Sequence, residues 1–135
     1  MRVSSEASVL VEGEADVVKA RQKGRELATT LGFSSTDQTL IATAISEIAR
    51  NIVSYAGRGS VAFSRIERQG RPGIQIVASD DGPGIADVEL AMRDGYSTGK
   101  SLGVGLPGAR RLVDELEVVS NVGVGTTVTM RKWLR

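Results

Sequence analysis

The stretch Ser79-Asp80-Asp81-Gly82-Pro83-Gly84-Ile85 decides how the chain is read. Immediately before it, Gly73-Ile74-Gln75-Ile76-Val77-Ala78 alternates as a strand, with Ile74, Ile76 and Ala78 on one face. The strand ends at Asp80, and two glycines around a proline force a turn. At such a turn the backbone can lie flush against a flat ring, because a Cβ at Gly82 or Gly84 would hold a ligand away. A carboxylate at the edge accepts a hydrogen bond from an exocyclic amine, the contact that separates adenine from guanine. A merely acidic, glycine-rich turn uses the same residues for local reasons, so this stretch alone leaves both readings open.

The rest of the chain bounds the chemistry. Its 135 residues predict a single domain, 1–135, able to bury a core without metals or disulfides. Seventeen basic and sixteen acidic side chains leave a formal charge of +1, which favours neither nucleic acid nor an anionic membrane as partner. The local clusters Arg65, Arg68, Arg71 and Arg131, Lys132, Arg135 read as a solvated edge and tail. No apolar run has the length of a membrane span, and the first residues lack a signal peptide's hydrophobic region, so a cytoplasmic location is expected. Cysteine and histidine are absent. That removes thiolate catalysis, zinc-thiolate sites and the commonest acid-base side chain, and leaves carboxylates, hydroxyls, lysines or a bound cation.

Ser8-Val9-Leu10-Val11 reads as an edge strand. Val17, Ala20, Gly24, Leu27, Ala28 and Leu31 then recur at helical spacing, with Gly32 as the expected C-cap. A second helix opens with a capping pattern at Ser35-Thr36-Asp37-Gln38 and ends near Tyr55-Ala56-Gly57. Its wide stripe, Leu40, Ile41, Ala44, Ile45, Ile48, Ala49, Ile52 and Val53, makes it the central helix of its layer. Glu47 and Asn51 project from it as i, i+4 neighbours at the edge of that stripe, facing either a pocket or solvent. Ser60 to Ile66 and the Asp80 strand form a hairpin through Gln69-Gly70-Arg71-Pro72-Gly73. Asp87 to Met92 suits a short helix, and the glycine- and hydroxyl-rich run from Arg93 to Gly105 has the length of a lid. Gly103-Val104-Gly105-Leu106-Pro107-Gly108 leads into another helix, whose first N–H groups suit phosphate oxygens. Two last strands, 117–120 and 126–130, close the sheet.

Gly95-Tyr96-Ser97-Thr98-Gly99-Lys100-Ser101 is not a P-loop: Asp94 stands where that motif needs glycine, and no buried strand precedes it. Nor does the stretch ending at Gly105 follow a first strand, as a dinucleotide-binding unit requires. What remains is an ordered set. Glu47-Ile48-Ala49-Arg50-Asn51, Asp80-Asp81-Gly82-Pro83-Gly84-Ile85 and Gly103-Val104-Gly105 resemble, in order, the N, G1 and G2 boxes of the GHKL superfamily. The runs 24–28, 37–47 and 103–112 are most similar to its stressosome switch kinases, and less so to its anti-sigma serine kinases.

The resemblance implies a two-layer α/β (α+β) sandwich, the Bergerat ATP-binding fold, with a mixed, mostly antiparallel sheet covered on one face by helices. It further implies a serine/threonine protein kinase using ATP and Mg²⁺. Its substrates would be STAS-domain scaffold or antagonist proteins, and after release it would activate a downstream serine phosphatase in the general stress response. Position by position, Glu47 would be the general base, Asn51 the Mg²⁺ ligand, and Asp80 the acceptor of the adenine amine, supported by Thr126 or Thr127. Gly82, Gly84 and Ile85 would line the base, while Gly103, Gly105 and Leu106 would serve the phosphate end, with Lys100 a candidate phosphate contact. The alternative is an anti-sigma factor or nucleotide-gated binding module, in which ATP only orders the lid.

Overall fold

The computed structural model describes residues 1–85, 88, 92 and 105–135. Five strands form one sheet: β1 (Arg2–Val11), β2 (Gly59–Arg68), β3 (Arg71–Asp80), β4 (Glu115–Asn121) and β5 (Gly125–Trp133), in the order β1-β2-β3-β5-β4. All the pairings among them are antiparallel. Helices α1 (Glu14–Leu31), α2 (Ser35–Asn51) and α3 (Gly105–Leu112) complete an α+β fold.

Pleat parity explains why the helices gather on one face. Directly opposed residues share a face, so the register lines up Val9, Val61, Ala78, Val128 and Val118 in one row across the sheet. Ala7, Phe63, Ile76, Met130 and Leu116 make a parallel row. Both rows join the core with Val17, Ala20 and Leu27 of α1 and Ile41, Ile45 and Ile48 of α2. Gly24 lets α1 approach: a Cβ there would stand 2.1 Å from Ile45 Cδ1 and 3.1 Å from Phe63 Cε1. A third row on the same face, Val11, Gly59, Asp80, Thr126 and Ser120, turns polar at its far half. Burial drives the first two rows; the third forms one rim of the site.

Local signals set the boundaries with small shifts. Gly32 closes α1 in the left-handed conformation at φ 93°, as expected of a C-cap. The N-cap of α2 is Ser34, whose side chain accepts from the Asp37 N–H at 3.1 Å, one residue before the expected pattern. Gln38 instead donates to the Phe33 carbonyl at 2.9 Å, tying down the turn between α1 and α2. α2 gives way after Asn51 to a π-helical turn, Ile52–Ala56, closed by the Gly57 N–H on the Ile52 carbonyl at 2.9 Å. The β2–β3 hairpin turns through Gln69 and Gly70, both at positive φ. β1 is an edge strand as expected but reaches back to Arg2, because β2 pairs with it out to Glu67 across a bulge between Ser5 and Ala7.

The basic cluster near the C-terminus is not a solvated tail. Lys132 lies on the helix-covered face at 8% exposure and donates to the Leu112 carbonyl at 3.1 Å, at the C-terminal end of α3. On the opposite face Glu115 is a hub: Arg68 reaches it at 2.7 Å, Arg131 at 3.2 Å and Trp133 Nε1 at 3.0 Å, while the Arg68 guanidinium stacks 4.7 Å from the Trp133 ring centre. The Arg68 hydrogen bond, opposed by desolvation and aided by Trp133 and Arg131, holds the Glu115 carboxyl below its ordinary value. A carboxylate depressed in the folded state adds stability above its unfolded value, and that stability is lost as pH falls through the folded value. Glu115→Gln is therefore expected to cost about 1 kcal/mol at neutral pH. In thermal melts run against pH, the gap from the parent chain should close on acidification; a gap constant with pH would refute the assignment.

Candidate active site

The polar end of the third row meets the C-terminal end of α2. Asp80, the last residue of β3, is half-buried, and its Oδ1 accepts the Gly82 N–H at 2.9 Å. Its cross-strand neighbour Thr126 shares its face, whereas Thr127, paired with Ser79, turns to the other side. Of the two threonines left open by the sequence, Thr126 is the one beside Asp80. Thr126 Oγ1 lies 2.8 Å from Ser120 Oγ, which accepts the Ile85 N–H at 2.7 Å. The Gly123 N–H donates to the Pro83 carbonyl at 2.8 Å. The β4–β5 hairpin thus props up the whole turn from Asp80 to Ile85.

The glycines of this turn are crowded by the chain itself. A Cβ at Gly82 would come within 2.6 Å of the Ala56 Cβ, and one at Gly84 within 2.5 Å of the Asn121 carbonyl oxygen. At Gly125 the crowding is greatest, 2.0 Å from the Asp80 carbonyl oxygen. Close packing of backbone on backbone is what sets Asp80 rigidly at the rim.

The π-helical turn links this corner to the face of α2 that carries Glu47 and Asn51. Ile52 packs beside Gly59, the residue paired with Asp80, and Ala56 packs beside Gly82. Asn51, just before that turn, faces the first residue of α3: a Cβ at Gly105 would stand 3.7 Å from Asn51 Nδ2 and 3.8 Å from its Oδ1. The first N–H groups of a helix lack intrahelical acceptors and carry its positive dipole end, so the start of α3, with N–H groups at Gly105, Leu106 and Gly108 but none at Pro107, is suited to an anion beside the Asn51 amide. Glu47, one turn before Asn51 and 16% exposed at its side chain, lies 3.7 Å from Arg50 Nη1.

Of the expected site residues, Asp80, Gly82, Gly84, Ile85 and Thr126 share one corner, and Asn51 and Gly105 meet at the other. Leu106 is 6% exposed and belongs to the core beneath α3, so its side chain supports the helix start. Lys100, Gly103 and the expected helix and lid between Ile85 and Gly105 lie outside the described residues, apart from Val88 and Met92. No cluster of three or more acidic side chains suited to a metal occurs among the described residues. A cation here would take the Asn51 oxygen and complete its shell from phosphate and water, the habit of Mg²⁺. Ser120 and the π-helical turn escaped the sequence reading. The alternation Leu116, Val118, Ser120 signals that hydroxyl, but only once β5 is known to lie between β3 and β4.

A family model described as a histidine kinase-like ATPase domain matches residues 12–132. The serine/threonine-protein kinase RsbT of Bacillus subtilis (strain 168) is 47% identical over 133 residues, covering 98% of this chain and 100% of RsbT. The anti-sigma F factor of Halalkalibacterium halodurans is 34% identical over 105 residues, 73% of this chain and 70% of that protein. Its counterpart from Caldanaerobacter subterraneus subsp. tengcongensis is 33% identical over 100 residues, 70% and 68% of the two chains. Among solved structures, the mycobacterial sensor histidine kinase MprB shares the fold at a TM-score of 0.58 and 15% identity, over 94% of this chain and 96% of that one. The chain belongs to the histidine kinase-like (GHKL) ATPase family and is an RsbT-like serine/threonine protein kinase within it.

Proposed function

We propose that this kinase moves the γ-phosphoryl group of ATP to a serine or threonine hydroxyl on STAS-domain scaffold or antagonist proteins. On release it would activate a serine phosphatase, acting as a cytoplasmic partner switch in the general stress response. The observation that carries the reading is Asn51 facing Gly105 at the start of α3, with Glu47 one helical turn before it on α2. Near-full-length identity to RsbT, covering all of that protein, supports the switch role.

In this reading Asp80 accepts the adenine amine on the oxygen that Gly82 leaves free, and Thr126 stands beside it, held by Ser120. The first turn of α3 binds phosphate oxygens, and Lys100 adds a phosphate contact from the lid. Asn51 holds Mg²⁺, which neutralises phosphate charge when bound. Glu47 takes the proton of the acceptor hydroxyl as its oxygen attacks the γ-phosphorus; the bond to the β–γ bridging oxygen breaks and ADP leaves. Phosphoryl transfer needs chiefly positioning and electrostatics, so a chain without histidine or cysteine is sufficient.

The anti-sigma F relatives favour a second reading, a nucleotide-gated module that sequesters a sigma factor. Transfer from labelled ATP and Mg²⁺ to a purified STAS-domain protein encoded nearby separates the two. The kinase reading expects transfer that falls on the order of a hundredfold in Glu47→Gln and is lost in Asn51→Ala. ATP-dependent capture of a sigma factor with no transfer would select the binding module.

A further inference from the structure

We propose that Arg50 is a positioning residue for phosphoryl transfer, a guanidinium held between Glu47 and Glu14 that fixes the Glu47 carboxylate toward the acceptor hydroxyl. This rests on the reading of Glu47 as general base. Arg50 Nη1 lies 3.7 Å from Glu47 Oε1, one helical step of i, i+3 away, while its Nε and Nη2 both reach Glu14 Oε1 at 3.4 Å. Glu14 is the first residue of α1, so the guanidinium bridges two helices.

Helix geometry gives this bridge a direction. At 3.6 residues per turn, Arg50 and Asn51 point about 100° apart, with Glu47 between them. Arg50 reaches sideways to α1, and Asn51 faces the start of α3. Glu47 is therefore anchored from its α1 flank by Arg50, and its other flank lies toward Asn51 and the start of α3. The exposure gradient fits the same role: the side chain of Glu47 is 16% exposed, that of Arg50 37% and that of Glu14 65%. A carboxylate at the edge of the core beside an incoming polyphosphate is repelled by it. A permanent cation at its back offsets that repulsion and limits its rotamers. Glu14, the outermost member, keeps the guanidinium from swinging into the phosphate site.

The geometry separates this role from direct phosphate binding, in which Arg50 would act without Glu47. The test measures single-turnover transfer to the STAS-domain acceptor, with enzyme in excess, alongside ATP affinity by titration calorimetry. The variants are Arg50→Ala, Arg50→Lys, Glu47→Gln and the Arg50→Ala/Glu47→Gln double. Arg50→Ala should slow transfer about tenfold with ATP affinity changed less than about twofold, and Arg50→Lys, which keeps the charge, should recover most of that rate. In the Glu47→Gln background, Arg50→Ala should add no further loss, because it acts only through Glu47. A weakened ATP affinity in Arg50→Ala, or a double variant slower than Glu47→Gln alone, would show an independent phosphate role and overturn the inference. Unchanged transfer in Arg50→Ala would do the same. Full activity in Glu47→Gln would remove the base assignment itself, and this inference with it, whatever the Arg50 variants do.

Discussion

Asp80→Asn is expected to lower ATP affinity on the order of a hundredfold while leaving Tm within a few degrees of the parent chain. The asymmetry follows from how the carboxylate is used. Oδ1 already accepts the Gly82 N–H at 2.9 Å, which in the proposed reading leaves the other oxygen for the exocyclic amine of adenine. An asparagine has one acceptor and one amide donor. If its oxygen keeps Gly82, its NH₂ faces the adenine amine, donor against donor; if it turns to the amine, its NH₂ meets the Gly82 N–H. Folding needs only the first arrangement, and binding needs both contacts. The same amide suits the carbonyl of guanine, so the preference for ATP over GTP should also shrink. Calorimetric titration with both nucleotides, beside a melt, checks this. A variant that binds ATP as tightly as its parent would remove Asp80 from the recognition of adenine.

Gly125→Val should destabilise the fold by about 4 kcal/mol or more, from left-handed backbone strain added to overpacking. Gly125 sits at φ 145°, and a Cβ there would fall 2.0 Å from the Asp80 carbonyl oxygen and 3.0 Å from the Asp81 Cα. Neither neighbour is the end of a flexible side chain, so relief requires β5 to part from β3 at Asp80, the residue proposed to read the base. Tm should fall by roughly 15 °C, and nucleotide affinity should fall further than stability alone explains. Gly123→Ala is the control. Gly123 is also at positive φ, 79°, but a Cβ there would meet nothing within 4 Å, so only backbone strain of about 1 kcal/mol is expected. Denaturant unfolding of both variants decides it: equal losses would refute the crowding at Gly125.

Much of the geometry of the candidate site was legible because its residues serve local structure. Asp80 ends an alternating strand, Glu47 and Asn51 are helical neighbours, and Gly105 opens a helix; each follows from a period of two or 3.6 and from turn chemistry. The one-residue shift of the α2 cap was not legible, since Ser34 and Ser35 offer the same hydroxyl. Nor was the burial of Lys132. Its neighbours Arg131 and Arg135 carry the same charge, and only the end of α3 against β5 supplies the Leu112 carbonyl that accommodates it.

The sequence by itself determined the five strands and three α-helices of the described residues, their order, and the chemistry available: carboxylates, an amide and glycine-flanked turns, in a chain without histidine or cysteine. Periodicity and capping act over a few residues, so they survive without knowledge of the fold. The choice of Thr126 over Thr127, the hydroxyl of Ser120, the bridge from Glu14 through Arg50 to Glu47, and the facing of Asn51 and Gly105 were decided only by tertiary structure. Each joins residues distant in sequence. Insertion of β5 between β3 and β4, and packing of α1 and α3 against α2, are set by burial of one shared core, which no local pattern specifies.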